Sequence, residues 1–148
     1  MITKEGVTME AKYRFVLVAV DGSSQSKDAV HEAIAIAKRN EAELTMLTSI
    51  DISTISHAPL MAREVTSGLL IRAKDMLDDI AQDESTMKIE KKVSVGVAKH
   101  EIVNYAKDED IDLIVMGATG KGAIERVLVG STTAYVVNHA PCNVLVVR

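Results

Sequence analysis

What most constrains the fold of this chain is the regular alternation of short apolar runs with helical stripes. Residues 15–20, Phe-Val-Leu-Val-Ala-Val, form an unbroken apolar run rich in β-branched side chains, closed by Asp21-Gly22-Ser23-Ser24. A run of that length without alternation suits a strand buried on both faces, which is the signature of a parallel sheet. Ser23 or Ser24 can cap the helix that follows. Ala29, Val30, Ala33, Ile34 and Ala37 then recur at helical spacing. Strands are further predicted over 44–50, 88–97, 111–116 and 144–147. Leu69, Leu70, Ala73, Met76, Leu77 and Ile80 mark a second helix, and Ile102, Val103 and Ala106 a third. A fourth helix is predicted over 131–139, stopped before Pro141. Residues 51–63, with Pro59 among them, read as a loop. The resulting order, β-α-β-α-β-α-β-α-β, predicts an α/β sandwich of three layers, with a parallel five-stranded sheet between helices.

At 148 residues the chain fits one domain, 13–148, preceded by a mixed, aperiodic stretch, 1–12, expected to be a flexible extension. Seventeen Lys and Arg against 21 Asp and Glu leave a net charge of −4. That mild balance gives no support to nucleic-acid binding, which uses a clustered basic face. No apolar run approaches the roughly 20 residues that span a bilayer, and the first residues lack a signal peptide's apolar stretch. The expectation is a cytoplasmic protein with neither membrane nor nucleic acid as partner. The single cysteine, Cys142, excludes an internal disulfide and reads as a small buried thiol. His31, His57, His100 and His139 share no metal-ligand spacing. No nucleophile stands at a recognisable spacing from a base, so no catalytic residue is assigned.

The chemistry concentrates between residues 115 and 133. The predicted fourth strand runs directly into Gly117, followed by Thr119, Gly120, and then Gly130-Ser131-Thr132-Thr133 at the start of the last helix. Glycines allow close backbone approach to a ligand. Helix-start N–H groups attract anions, and hydroxyls add donors. The combination makes a phosphate cradle, in which Lys121 and Arg126 are either charge partners or solvated loop cations. In open parallel sheets, ligands lie beyond the carboxyl ends of the strands. Two turns qualify, Asp21–Ser24 and Gly117–Gly120, and they face one crevice if strands 1 and 4 are neighbours. Asp21 reads equally as a ligand-facing carboxylate and as a turn or capping aspartate.

These residues resemble the universal stress protein family. The family's nucleotide-binding signature, G-x2-G-x9-G-[ST], is matched by Gly117, Gly120, Gly130 and Ser131. V-A-V-D-G-S at 18–23 and A-P-C-N-V-L-V-V at 140–147 match as well, so the resemblance runs over nearly the whole chain. It implies the adenine nucleotide α-hydrolase-like, Rossmann-like sheet with strand order 3-2-1-4-5. It also implies ATP as ligand, with ADP or AMP as alternatives, and Mg2+ or Mn2+ bridging the phosphates. Ala19, Val20 and Asp21 would lie near the adenosine and the Ser49 backbone at the adenine edge. Met116 and Gly117 would lie near base and ribose. Gly120, Gly130, Ser131, Thr132 and Thr133 would surround the phosphates, with Thr119 either facing the ligand or shaping the turn. Two departures are visible: Ser49 stands where the family often has an apolar residue, and Ala98 where it often has proline. The function implied is a nucleotide-dependent stress or signalling switch acting on an unknown protein partner. Slow ATP hydrolysis or autophosphorylation at Ser131 or a nearby Thr is one alternative, and a nucleotide-independent dimer joined through the C-terminal strand is another.

Overall fold

A computed structural model describes residues 13–55, 59–120 and 128–148. Its elements run β1 Phe15–Ala19, α1 Ser24–Asn40, β2 Glu43–Ile50, α2 Pro59–Ala81, β3 Ile89–Val95, α3 Ala98–Asp108, β4 Leu113–Gly117, α4 Ser131–His139 and β5 Asn143–Val147. All strand pairs are parallel, in the order β3-β2-β1-β4-β5. The predicted sheet is therefore the one that forms. The chain order reverses between β1 and β4, which puts a crevice at their carboxyl ends.

Strand alternation divides the core into two layers. Val16, Val18, Leu44, Met46, Leu113 and Val115 point to α1 and α2, where they pack with Ala29, Val30, Ala33 and Leu77. Leu17, Leu47, Ile114 and Met116 point to α3 and α4 and meet Ile102, Val103, Ala106 and Val136. These strand residues are all buried, which explains why their runs read as continuously apolar. The start of the sheet is pinned by Asp112, whose carboxylate accepts from Arg14 N at 2.7 Å and Phe15 N at 2.9 Å.

Three boundaries differ from expectation by two residues or more. Helix α2 begins at Pro59, inside the predicted loop. Proline breaks a helix interior but suits the first helical position, where its missing N–H would have had no partner. Strand β4 begins at Leu113, because Ile111 N bonds back to Ala106 O at 3.0 Å to close α3. Strand β3 is shorter than 88–97 and ends at Val95, before Gly96 donates to Ile50 O at 2.8 Å. Cys142 is half-buried rather than enclosed, and desolvation raises its thiol above the usual range. Among the described residues no helix is long and apolar enough to cross a membrane. Residues 1–12, His57, Lys121 and Arg126 lie outside the described residues.

Candidate functional site

Beyond the carboxyl ends of β1, β2 and β4 lies a cleft of about 380 Å³, within the range of roughly 300–1,000 Å³ typical of small-molecule sites. Its wall includes Ala19, Val20, Asp21, Ser49, Met116, Gly117, Thr119, Gly120, Gly130, Ser131, Thr132 and Thr133, every candidate read from the sequence. It also includes Ser26, Leu47, Ala98 and Ile102, which sequence reasoning missed. Leu47 and Ile102 belong to the core, and nothing local in the chain marks them as cleft-facing.

The turn after β1 is built by local hydrogen bonds. Gly22 has φ 82°, a left-handed conformation that a side chain disfavours. Asp21 Oδ1 accepts from Ser23 N at 2.9 Å, and Ser23 Oγ in turn accepts from Ser26 N at 3.2 Å, capping α1. One carboxylate oxygen of Asp21 thus shapes the turn. The other lies against Gly120: a Cβ built there would stand 2.5 Å from Asp21 Oδ2. The turn reading of Asp21 is thus the one its Oδ1 bond carries, and Oδ2 lies at the Gly120 corner of the cleft wall.

The turn after β4 is held from two sides. Thr119 N donates to Gln25 Oε1 at 2.9 Å, across 94 residues of sequence. A Cβ on Gly117 would meet Gln25 Cβ at 3.0 Å and the Gln25 carbonyl carbon at 3.1 Å, so glycine lets α1 pack directly on this strand end. Gln25 is a glutamine in the first turn of a helix, and no sequence signal singled it out. On the other side, Gly130 N donates to Ala118 O at 2.7 Å, folding the returning chain back onto the turn.

Helix α4 starts at Ser131 with Gly130 as its cap residue, which supplies no side-chain cap. Its first intrahelical bond is Ala134 N to Gly130 O at 2.9 Å. The N–H groups of Ser131, Thr132 and Thr133 precede it, and a helix's first N–H groups have no acceptor of their own within the helix. They carry the positive end of the helix dipole to the cleft. The three hydroxyls differ. Ser131 is exposed and Thr132 half-buried, whereas Thr133 is buried and donates its hydroxyl to Gly117 O at 2.8 Å. The Thr133 proton is therefore engaged within the protein, tying the start of α4 to the end of β4.

The far end of the cleft is less polar. The last β1–β2 pair is Ala19 with Leu47, and Val20 N donates to Leu47 O at 2.9 Å. Ser49 lies two residues further on, past the end of β1. Backbone groups of a parallel strand alternate between its two neighbours, so the N–H and C=O of Ser49 face the cleft. Its side chain joins Ser94 across the sheet, Oγ to Oγ at 2.8 Å. Among the described residues no group of three or more His, Cys, Asp or Glu side chains could hold a metal ion. His139 Nδ1 lies 2.8 Å from Tyr135 O at the opposite end of α4, away from the cleft.

Comparison with known proteins gives a consistent result. A model described as the universal stress protein family matches residues 12–148. The chain is similar to the universal stress protein UspA from Lactobacillus plantarum, with 42% identity, a TM-score of 0.86, and coverage of 94% of this chain and all of that one. A Staphylococcus saprophyticus protein that bears the universal stress protein name is 36% identical over 92% of this chain and 84% of its own length. A universal stress protein solved in complex with cAMP is 27% identical with a TM-score of 0.69, covering 93% of this chain and 98% of that chain.

Proposed function

The chain belongs to the universal stress protein family, and we propose that it binds ATP in the cleft and acts as a nucleotide-dependent switch. One observation carries this reading: two turns and a helix start, far apart in sequence, converge on one cleft with opposite chemistry at its two ends. The end at Gly120, Gly130 and the first turn of α4 suits phosphate, because backbone donors and the helix dipole favour negative charge. The end at Ala19, Leu47, Ile102 and the Ser49 backbone suits a flat heterocycle that needs apolar walls and an edge to hydrogen-bond. A relative solved with cAMP supports an adenine ligand.

A divalent cation, Mg2+ or Mn2+, fits this site as a phosphate-bound ion. The described residues offer no metal-ligand cluster of their own, so its ligands would be phosphate oxygens and water, with the Ser131 or Thr132 hydroxyl nearby. Such an ion neutralises phosphate charge and lets Asp21 share the cleft with it. Backbone donors, the helix dipole and apolar walls are what a binding cleft needs, and binding is the function proposed for it. Nucleotide would order the surface around Gly120 and Gly130 and so alter what is offered to a protein partner. β5 is the sheet edge beside this surface, and its Leu145 is exposed together with Val137 of α4. A second copy covering that edge would remove unpaired backbone groups from water, and we assign homodimerisation to it.

The test is thermal. ATP with Mg2+ raises the melting midpoint of the wild-type chain, and Gly130→Val abolishes the rise. A Cβ at Gly130 would lie 3.5 Å from Ala118 O and 3.6 Å from Thr119 Cα, ordinary contacts. Valine adds two further methyl groups at a residue that lines the cleft, where the proposed phosphates would lie. A Gly130→Val protein that still responds in full refutes this site.

A further inference from the structure

Gly68 stands near the middle of the 23-residue helix α2. Glycine weakens a helix interior, because it gives up more backbone freedom on folding than any other residue. A Cβ built on Gly68 meets nothing within 4 Å, so no neighbour among the described residues requires its small size. The same face of the helix is apolar and open to solvent. Met61 is 66% exposed, Val65 46% and Ile71 60%. At 3.6 residues per turn all three lie within about 60° of Gly68 around the helix. Glu64 and Arg72 belong to this face as well. Both are exposed, and neither has an ion-pair partner among the described residues.

A glycine on a helix surface lets another backbone come close. The residues around Gly68 are also arranged symmetrically about it. Glu64 and Arg72 stand four positions to either side, and Val65 and Ile71 three. When two α2 helices cross antiparallel about a two-fold axis at Gly68, each residue faces the one equally far beyond the glycine. Glu64 of one copy then meets Arg72 of the other, and Val65 meets Ile71. Each contact occurs twice, as an isologous interface requires. One register thus matches opposite charges and apolar side chains, and sets Gly68 against Gly68 at the closest approach. We propose that α2 is a self-association surface, on which a second copy of this chain docks its own α2 antiparallel. Helix α2 covers the sheet beside β2 and β3, whereas β5 is the opposite edge. Pairing here uses neither that edge nor any residue of the cleft wall.

The experiment is sedimentation equilibrium of the full chain and of Glu64→Arg, Arg72→Glu and Gly68→Leu. Each charge reversal sets like charges face to face twice, and is expected to weaken this association by at least about tenfold. Glu64→Arg and Arg72→Glu mixed in equal amounts associate again as wild type does, because each supplies the charge the other lacks. That recovery also shows that the single variants are folded. Gly68→Leu has open space in the single chain and keeps its helix content, yet it holds the two helices apart and weakens association. Any pairing through β5 persists in every variant. A wild type that sediments as a monomer overturns the proposal. So do charge reversals that leave the wild-type mass unchanged, a mixture that stays dissociated, and a Gly68→Leu chain that associates in full.

Discussion

Thr133→Val separates a structural hydroxyl from a ligand-binding one. The Thr133 side chain is buried, 3% exposed, and its Oγ1 donates to Gly117 O at 2.8 Å. Valine has nearly the same shape, so the change creates little cavity. What it removes is the partner of a carbonyl at a buried strand end, and it sets a methyl group against that carbonyl. Leaving a buried polar group unsatisfied costs about 1–3 kcal/mol. For a domain of about 150 residues each kcal/mol moves the melting midpoint by roughly 2–4 °C. Calorimetry on the nucleotide-free protein is therefore expected to show a drop of about 2–12 °C for Thr133→Val. Thr133→Ser keeps the hydroxyl and loses only a methyl group, so it falls less. If Thr133→Val melts with the wild type, the hydroxyl does not anchor α4 to β4, and the assignment of its proton to Gly117 is wrong.

Gly120→Ala pushes a methyl group to 2.5 Å from Asp21 Oδ2. Asp21 can swing away at the expense of its bond to Ser23, so stability should fall by only about 1 kcal/mol, while nucleotide affinity measured by titration falls by at least tenfold; an undiminished affinity rejects a ligand-facing role for this corner. The Glu84 carboxyl is held at about 2, below its usual 4.5, by the hydrogen bond from Lys38, 2.8 Å away, and by Thr86. A depressed carboxyl pKa contributes stability above 4.5 that is lost as pH falls toward about 2. Lys38→Met should therefore flatten the acid limb of the stability profile between those limits, and a profile matching wild type there would show the pair to be inert. Burial raises the Cys142 thiol, so alkylation of the native protein at neutral pH should be much slower than after unfolding; equal rates would mean that the thiol is open to solvent.

The elements and the glycines that line the cleft are legible because their signals are local. An unbroken apolar run says buried strand whatever its neighbours are, and Gly130-Ser131 at a helix start says anion wherever it ends up. Pro59 reads as a loop residue although it opens α2, because proline's meaning depends on position, a breaker within a helix and a starter at its first residue. Ile111 reads as part of β4 because it continues the apolar run, and it is buried like a strand residue, 7% exposed, although its N–H closes α3.

By itself the sequence determined the order of strands and helices, the two layers each strand must serve, and which turns could bind an anion, since each depends on residues a few positions apart. Only the tertiary structure decided what those groups do when brought together. Gln25 reaches Thr119 across 94 residues, and Ser49 meets Ser94 because β2 pairs with β3. Asp21 divides its two oxygens between its own turn and Gly120, and Thr133 gives its proton to Gly117. The physical reason is that a hydrogen bond or a steric contact acts within a few ångströms, and chain closure alone determines which distant residues come that close.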